Sequence, residues 1–387
     1  MAKNGIKTVK PALNDLILAF LEAPGIQSLL HKGRDSLETG LAFRFHNTSE
    51  IIASSDSTEF LSNARTFPLS EMARLYESRP IMDGALVRGH LFLDRPPGVK
   101  SSQSLEALVI GLQFILRREM AEERDRRLFI SRFFEDLLTD KIPSEQEIRK
   151  RAGILGIPVE ENVLALIVSG LSPEKQDLVL GRARAYFKRA YSIAIKGMLV
   201  NLLFLRNLEP EVIRENITQI CDRVLPELRK PEHADGGPVH FGIGEPRSSI
   251  FYLSESYEEG RNAVFFSMVH CRNRPVFWKD TAAFGVICTL AGSEAAGALC
   301  DSMLGAVIDH DKRNNTNLLE TLYAIESCSW NLARAAKESL YHYNTFKYRY
   351  GRLQELLDGD MRDSAFRFDL AFALRVNSVR NLLKLYG

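Results

Sequence analysis

Toward the C-terminus, Asn344, Thr345, Lys347, Tyr348 and Arg352 fall at spacings that a short helix would turn outward together. On the same stretch Phe346, Tyr350, Leu353 and Leu357 recur at i, i+4, i+7 and i+11, an apolar stripe that must face a core. Amides and guanidinium groups can each make two hydrogen bonds to a base edge, and hydroxyls and ammonium groups suit phosphates. The chemistry available to this face is therefore that of reading a DNA major groove. The cations are local: Arg334, Lys337, Lys347, Arg349 and Arg352 cluster here with Glu338 and Glu355 as the nearby acids, while the whole chain of 387 residues has a net charge of only +1.

The elements needed to hold this face are written just upstream. Asn331–Leu340 is Ala-rich, and small side chains let a second helix cross closely. Asn317 offers an N-cap with Glu320 three residues on. The polar run from Asp309 to Asn315 reads as a loop, preceded by helical spacing through Ile287, Leu290, Leu299, Leu304 and Val307 with a restart at Gly292-Ser293. Asp358-Gly359 stops the reading helix, and Phe366 to Val376 begins a final covering helix.

The order His342-x-Asn344-Thr345-Phe346-x-Tyr348-Arg349, with Asn317–Leu322 before it and an apolar helix after it, resembles the C-terminal helix-turn-helix of the PucR/CdaR group of bacterial transcription regulators, over about residues 311 to 376. The resemblance implies that the helix after the turn enters DNA. By resemblance His342, Asn344, Thr345, Lys347, Tyr348 and Arg349 are the positions that meet DNA; with Arg352 from the outward face and Tyr343 between His342 and Asn344, these are the candidate DNA-binding residues. This chain departs from the family at Tyr343 (usually Arg or Pro), at Phe346 and Tyr350 (usually Leu), at Ser339 (usually Leu) and at Ala333 (usually Ser or Thr). Tyr343 removes a bidentate contact, and Ser339 leaves a buried turn position for Leu340 to fill. Gly351 inside the reading helix costs about 1 kcal/mol relative to Ala, which is tolerable where backbone must approach a phosphate.

Upstream lies a unit of mixed α/β pattern, over residues 143–287. Val163–Val168 reads as a buried strand, Gly181–Tyr191 as a helix, Ser192–Ile195 and Met198–Phe204 as a hairpin around Lys196-Gly197, and Val212–Leu228 as a helix. Val239–Gly244 is then a strand and Ser256–Phe266 a helix. The order resembles the degenerate GGDEF-like domain of the same regulators. Active relatives make a cyclic dinucleotide at a metal site built from a Gly-Gly-carboxylate hairpin and an acid ending the first strand. Here the hairpin tip is Lys196-Gly197-Met198 and the strand ends in Ser169-Gly170, with no carboxylate to hold two hard cations. The resemblance therefore implies a domain without catalysis. Gly242-x-Gly244 lacks the third glycine of a dinucleotide fingerprint and reads as a strand-end turn.

The first 116 residues read as a helical lead-in broken at Pro24-Gly25, a hairpin of Leu41–Phe45 and Ile51–Ser54 around Asn47-Thr48-Ser49, and a strand pair, Ala85-Leu-Val and His90–Leu93, flanking Arg88-Gly89. Strands before a long helix resemble a small PAS- or GAF-like sensor, which would either hold a small-molecule effector in the cup of its sheet or serve as a dimerisation module. From Ser101 to Thr139 one long helix is expected, charged through Arg117–Arg127. It reads as the contact of a homodimer or as a solvated linker, residues 117–142.

The expected fold is thus multidomain α+β: a PAS/GAF-like sensor (1–116), the helical linker (117–142), a degenerate GGDEF-like domain (143–287), and a connecting helix with a C-terminal all-α helix-turn-helix (288–387). Cys221, Cys271, Cys288, Cys300 and Cys328 have no metal-ligand spacing and read as reduced, buried thiols; the histidines show no ligand spacing either. No metal, cofactor or catalytic residue is expected. The absence of a long apolar run and of a signal-peptide pattern points to the cytoplasm and away from membranes. The functional expectation is a transcriptional regulator of double-stranded DNA, with a dimeric scaffold that has lost DNA binding as the alternative.

Overall fold

The computed structural model describes residues 13–46, 50–96, 98, 101–171, 176–206, 209–228, 238–270 and 274–386. The chain divides into two compact units, Met1–Leu128 and Phe129–Gly387. The Asn47–Ser49 turn and Cys271 lie outside the described residues.

The first unit begins with α1 (Leu13–Leu21) and α2 (Ile26–Leu37), separated at Pro24-Gly25. Strands β1 (Leu41–Phe45) and β2 (Ile51–Ser54) are followed by α3 (Thr58–Thr66), α4 (Leu69–Leu75), β3 (Glu77–Asp83) and β4 (Leu86–Leu93). The sheet is antiparallel in the order β2-β1-β4-β3. One core joins Leu29 and Leu30 of α2, Phe43 and Leu91 of the sheet, and Leu108 and Leu112 of the long helix α5 (Ser102–Leu138); a smaller one joins Ala42 and Phe92 to Phe60 and Met72.

Two expectations change here. Arg88-Gly89 is not a turn, because β4 runs straight through it. Gly89 lies under Phe43, where a Cβ would stand 2.4 Å from the ring. The turn is at Gly84, whose φ of 61 suits a residue without a side chain. Its partner β3, with Pro80 on the edge of the sheet, and the pair α3 and α4 were not signalled by apolar alternation.

The second unit takes over the last turns of α5, whose Phe133, Phe134, Leu137 and Leu138 are buried in its core. It continues through α6 (Glu145–Leu155), β5 (Val163–Ser169), α7 (Gln176–Tyr186), β6 (Arg189–Ile195), β7 (Met198–Phe204), α8 (Pro210–Leu228), β8 (His240–Ile243), α9 (Leu253–Val269) and β9 (Val276–Phe277). The sheet order is β6-β7-β5-β8-β9, antiparallel except for the β8–β9 pair. Every residue of β5 is buried, because helices cover both faces. Leu164, Leu166 and Val168 pack under α7 and α8, whereas Val163, Ala165 and Ile167 pack under α9 and its neighbours. The helix expected to reach Tyr191 ends at Tyr186, since Phe187 turns into the core and Arg189 starts the strand.

Gly242 and Gly244 let α9 approach the sheet. A Cβ at Gly242 would stand 2.2 Å from the Gly260 carbonyl oxygen, and one at Gly244 1.9 Å from that of Ser256. The strand-end glycines are thus packing residues.

The chain ends in helices: α10 (Phe284–Ala291), α11 (Glu294–Asn314), α12 (Leu318–Ser327), α13 (Leu332–Glu338), α14 (Tyr343–Leu356) and α15 (Ser364–Tyr386). The restart at Gly292-Ser293 is present, with Ser293 accepting from the Ala296 amide at 3.2 Å. The loop expected at Asp309–Asn315 is instead the end of α11. Two helices are shared between cores. Ala296 and Cys300 of α11, and Val376 and Val379 of α15, pack with the sheet; Leu304 and Val307, and Leu370 and Leu374, pack with α12–α14.

Candidate nucleic-acid interface

Helix α13 starts at Asn331, whose side chain accepts from the Arg334 amide at 3.0 Å. Ala335 and Ala336 are buried and give α14 its close crossing. The turn between them is closed by the Tyr341 amide donating to the Ala336 carbonyl at 3.1 Å, with Leu340 at φ 55. Leu340 does not fill the position left by Ser339: it is 94% exposed, and Ser339 is half-buried. The motif instead closes on Phe346, Leu353, Leu357 and the underlying Leu304 and Val307.

His342 caps α14, its Nδ1 accepting from the Asn344 amide at 3.3 Å. Phe346, Leu353 and Leu357 are buried and Tyr350 is half-buried, so the apolar stripe faces the core as its spacing requires. Asn344, Thr345, Lys347, Tyr348 and Arg352 are exposed, as are His342 and Tyr343, and Tyr348 reaches 73%.

Arg349 is placed differently from its neighbours. Its Nη1 donates to Thr321 Oγ1 on α12 at 3.1 Å, and its guanidinium lies 4.5 Å from the centre of the Tyr341 ring. It fastens α14 to α12 and to the turn. The sequence carried this signal, because position 349 is i+3 from Phe346 and i−4 from Leu353, on the flank of the buried stripe.

Two other cations are also engaged. Arg334 pairs with Glu338 at 2.7 Å, and that guanidinium, with the Cys328 thiol donating at 3.2 Å, holds the Glu338 carboxyl below its usual range. Arg352 pairs with Glu355. Lys337 and Lys347 are exposed and carry no ion pair among the described residues.

The base of the unit is capped from outside it. Asp311 near the end of α11 accepts from the Leu318 amide at 2.8 Å, from the Leu319 amide at 2.9 Å and from Thr316 Oγ1 at 2.5 Å. Asn317 makes no side-chain cap.

Residues 318–376 match the PucR C-terminal helix-turn-helix domain, and residues 139–264 match the GGDEF-like domain. The C-terminal helices are thus similar to the PucR helix-turn-helix and the domain before them to the GGDEF-like domain. Among the chain's relatives, the DNA-binding transcriptional activator AdeR of Bacillus subtilis (strain 168) is 19% identical over 269 residues, which are 68% of this chain and 62% of AdeR. The chain thus spans less than two thirds of that relative. The regulator of polyketide synthase expression from Bifidobacterium adolescentis, known from a crystal structure, is 19% identical and aligns over 66% of this chain and 99% of its own, with a TM-score of 0.31.

In the GGDEF-like domain the positions that hold metal and triphosphate in active GGDEF domains carry other residues. Strand β5 ends in Ser169, buried, and Gly170, and the β6–β7 hairpin turns at Lys196 (φ 47) and Gly197 (φ 77). A Cβ at Gly197 would stand 3.7 Å from the ring of Tyr386, so the last turn of α15 packs beside the hairpin tip. Among the described residues no group of three His, Cys, Asp or Glu side chains is placed to hold a metal ion. Among them too, no single helix is long and apolar enough to cross a membrane.

Proposed function

We propose that this chain is a DNA-binding transcriptional regulator that reads its operator with α14. The observation that carries the reading is the division of that helix: Phe346, Leu353 and Leu357 are buried while Asn344, Thr345, Lys347 and Tyr348 are exposed on the turns that a groove would meet. Asn344 and Tyr348, one turn apart, contact base edges. Lys347, joined by Lys337 from α13, contacts phosphates. His342, Tyr343 and Thr345 border the leading end of the helix, Arg352 its far side, and Arg349 acts by holding the helix in place.

One such helix spans too few base pairs to define a site, so two heads act together on spaced half-sites. The pairing element is α5, which exposes Ile110, Phe114, Met120, Leu128 and Phe129, with every residue from Ala121 to Phe129 open to solvent. The first unit is the sensor. Its antiparallel sheet with helices on both faces supports a PAS- or GAF-like reading, and a polar cleft of about 730 Å³ between Arg34, Asp56 and Arg95 supports an effector there. The GGDEF-like domain connects sensor to head without catalysing a reaction, supported by the residues at Ser169-Gly170 and Lys196-Gly197 and by the packing of Tyr386 beside the hairpin. The protein acts in the cytoplasm, where its DNA lies.

A gel-shift assay with DNA from upstream of its own coding sequence tests the proposal. A discrete complex that survives excess unrelated DNA is expected; equal competition by any DNA would remove the claim of site-specific reading.

A further inference from the structure

A cleft of about 840 Å³ opens where the helix-turn-helix meets the end of α9. Val269 and His270 line it together with Tyr323, Glu326 and Trp330 and with Arg375 of α15. Its size is that of a small-ligand site, and its lining mixes apolar and polar surface.

The chemistry of the lining is specific. Arg375 is neutralised, donating to Glu326 at 2.6 Å and to the Ala371 carbonyl at 3.3 Å. Tyr323 is fixed, its hydroxyl donating to the Leu374 carbonyl at 3.0 Å and accepting from Asn377 and Ser378 at 3.1 Å each. His270 is held against Phe266, its Nδ1 3.0 Å from the Phe266 carbonyl oxygen and its ring stacked at 4.2 Å. The exposed carboxylate of Glu320 has no ion pair among the described residues and lines the same cleft as Tyr323 and Trp330. Trp330 already serves as the partner of a cation, the Arg367 guanidinium, at 5.4 Å.

A second observation points to the same place. Ser329 (φ 54) and Trp330 (φ 63) are consecutive non-glycine residues in the left-handed region, at the end of α12 and on the cleft wall. Backbone held in such a conformation concentrates at ligand clamps and switch segments. Because α11 and α15 each belong to both cores, an occupant touching Val269, Trp330 and Arg375 bears at once on the GGDEF-like domain and on the DNA-binding head.

We propose that this cleft binds a small organic amine with an aromatic body, the ring against Trp330 and Tyr323 and the ammonium on Glu320. Its occupancy changes the set of α14; that last step alone rests on the DNA-binding reading.

The test uses the full chain without DNA. Trp278 and Trp330 are the two tryptophans, so a Trp278→Phe variant reports Trp330 fluorescence alone. Tyramine and p-hydroxyphenylacetate are the probes, alike in ring and opposite in charge. Tyramine is expected to give a saturable change, p-hydroxyphenylacetate none, and Glu320→Gln should bind tyramine about fivefold more weakly or worse, as loss of one partly exposed charge pair implies. Calorimetric titration of the unsubstituted chain supplies the same comparison should Trp278→Phe fold poorly. Equal binding of both probes, parental affinity in Glu320→Gln, or no saturable tyramine binding by either method would overturn the proposal. Since no DNA is present, none of these results depends on whether α14 reads an operator.

Discussion

On α14 the side chains divide by what they can touch. Asn344→Ala should lose discrimination at one base pair, on the order of 1 to 3 kcal/mol, with the salt dependence of binding nearly unchanged. Arg349→Ala should act by another route: removing the bond to Thr321 and the contact with Tyr341 costs about 1 to 2 kcal/mol of fold stability, read as a lower Tm. Gly351 shares the face of Asn344 and Tyr348, and a Cβ there meets nothing within 4 Å. Gly351→Ala should therefore stabilise the free protein by about 0.5 to 1 kcal/mol while weakening DNA binding, since in the proposed complex the helix backbone at this point would lie against the duplex. Unchanged binding in a stabilised variant would show that no phosphate approaches it. The outward and inward positions were legible from spacing alone. The contacts of Arg349 were not legible, because the resemblance placed it among the DNA-binding positions, whereas its place on the flank of the buried stripe turns it toward Thr321 and Tyr341.

Among the elements, the stripe of α14 and the long α5 were legible because each repeats a helical period over several turns, and β5 because it is an unbroken apolar run too short for a helix. The errors fall where polar residues do structural work. Asp309–Asn315 looks like a loop, yet it is the last turn and a half of α11, and its Asp311 holds the first amides of α12. The nearer Asn317, in the cap position, leaves that role to Asp311. Asp311→Ala should cost about 1 to 2 kcal/mol, seen in thermal denaturation, whereas Asn317→Ala should cost little. Strand β3 escaped notice for a related reason: an edge strand with Pro80 and Arg79 exposed shows no alternation.

At the scale of the molecule, α11 and α15 make one body of the GGDEF-like domain and the helix-turn-helix. Neither helix was read as shared, because a period shows which face is buried and not against what. A chain ending at Thr316 loses α15 and bares the surface that Val376 and Val379 cover, each worth about 1.5 to 3 kcal/mol of burial. It should aggregate or bind hydrophobic dyes; a well-behaved monodisperse product would contradict the shared-helix account. Sedimentation of the intact chain at micromolar concentration should give a dimer, and loss of the dimer in Phe114→Glu or Phe129→Glu would assign it to α5. The most direct test of the central claim is a salt titration of binding to operator and to unrelated DNA, comparing the parent with Lys347→Ala. The account predicts that the variant weakens both affinities together and makes the salt slope shallower by about one unit per half-site. Parental affinity and slope in that variant would mean that α14 does not lie on DNA.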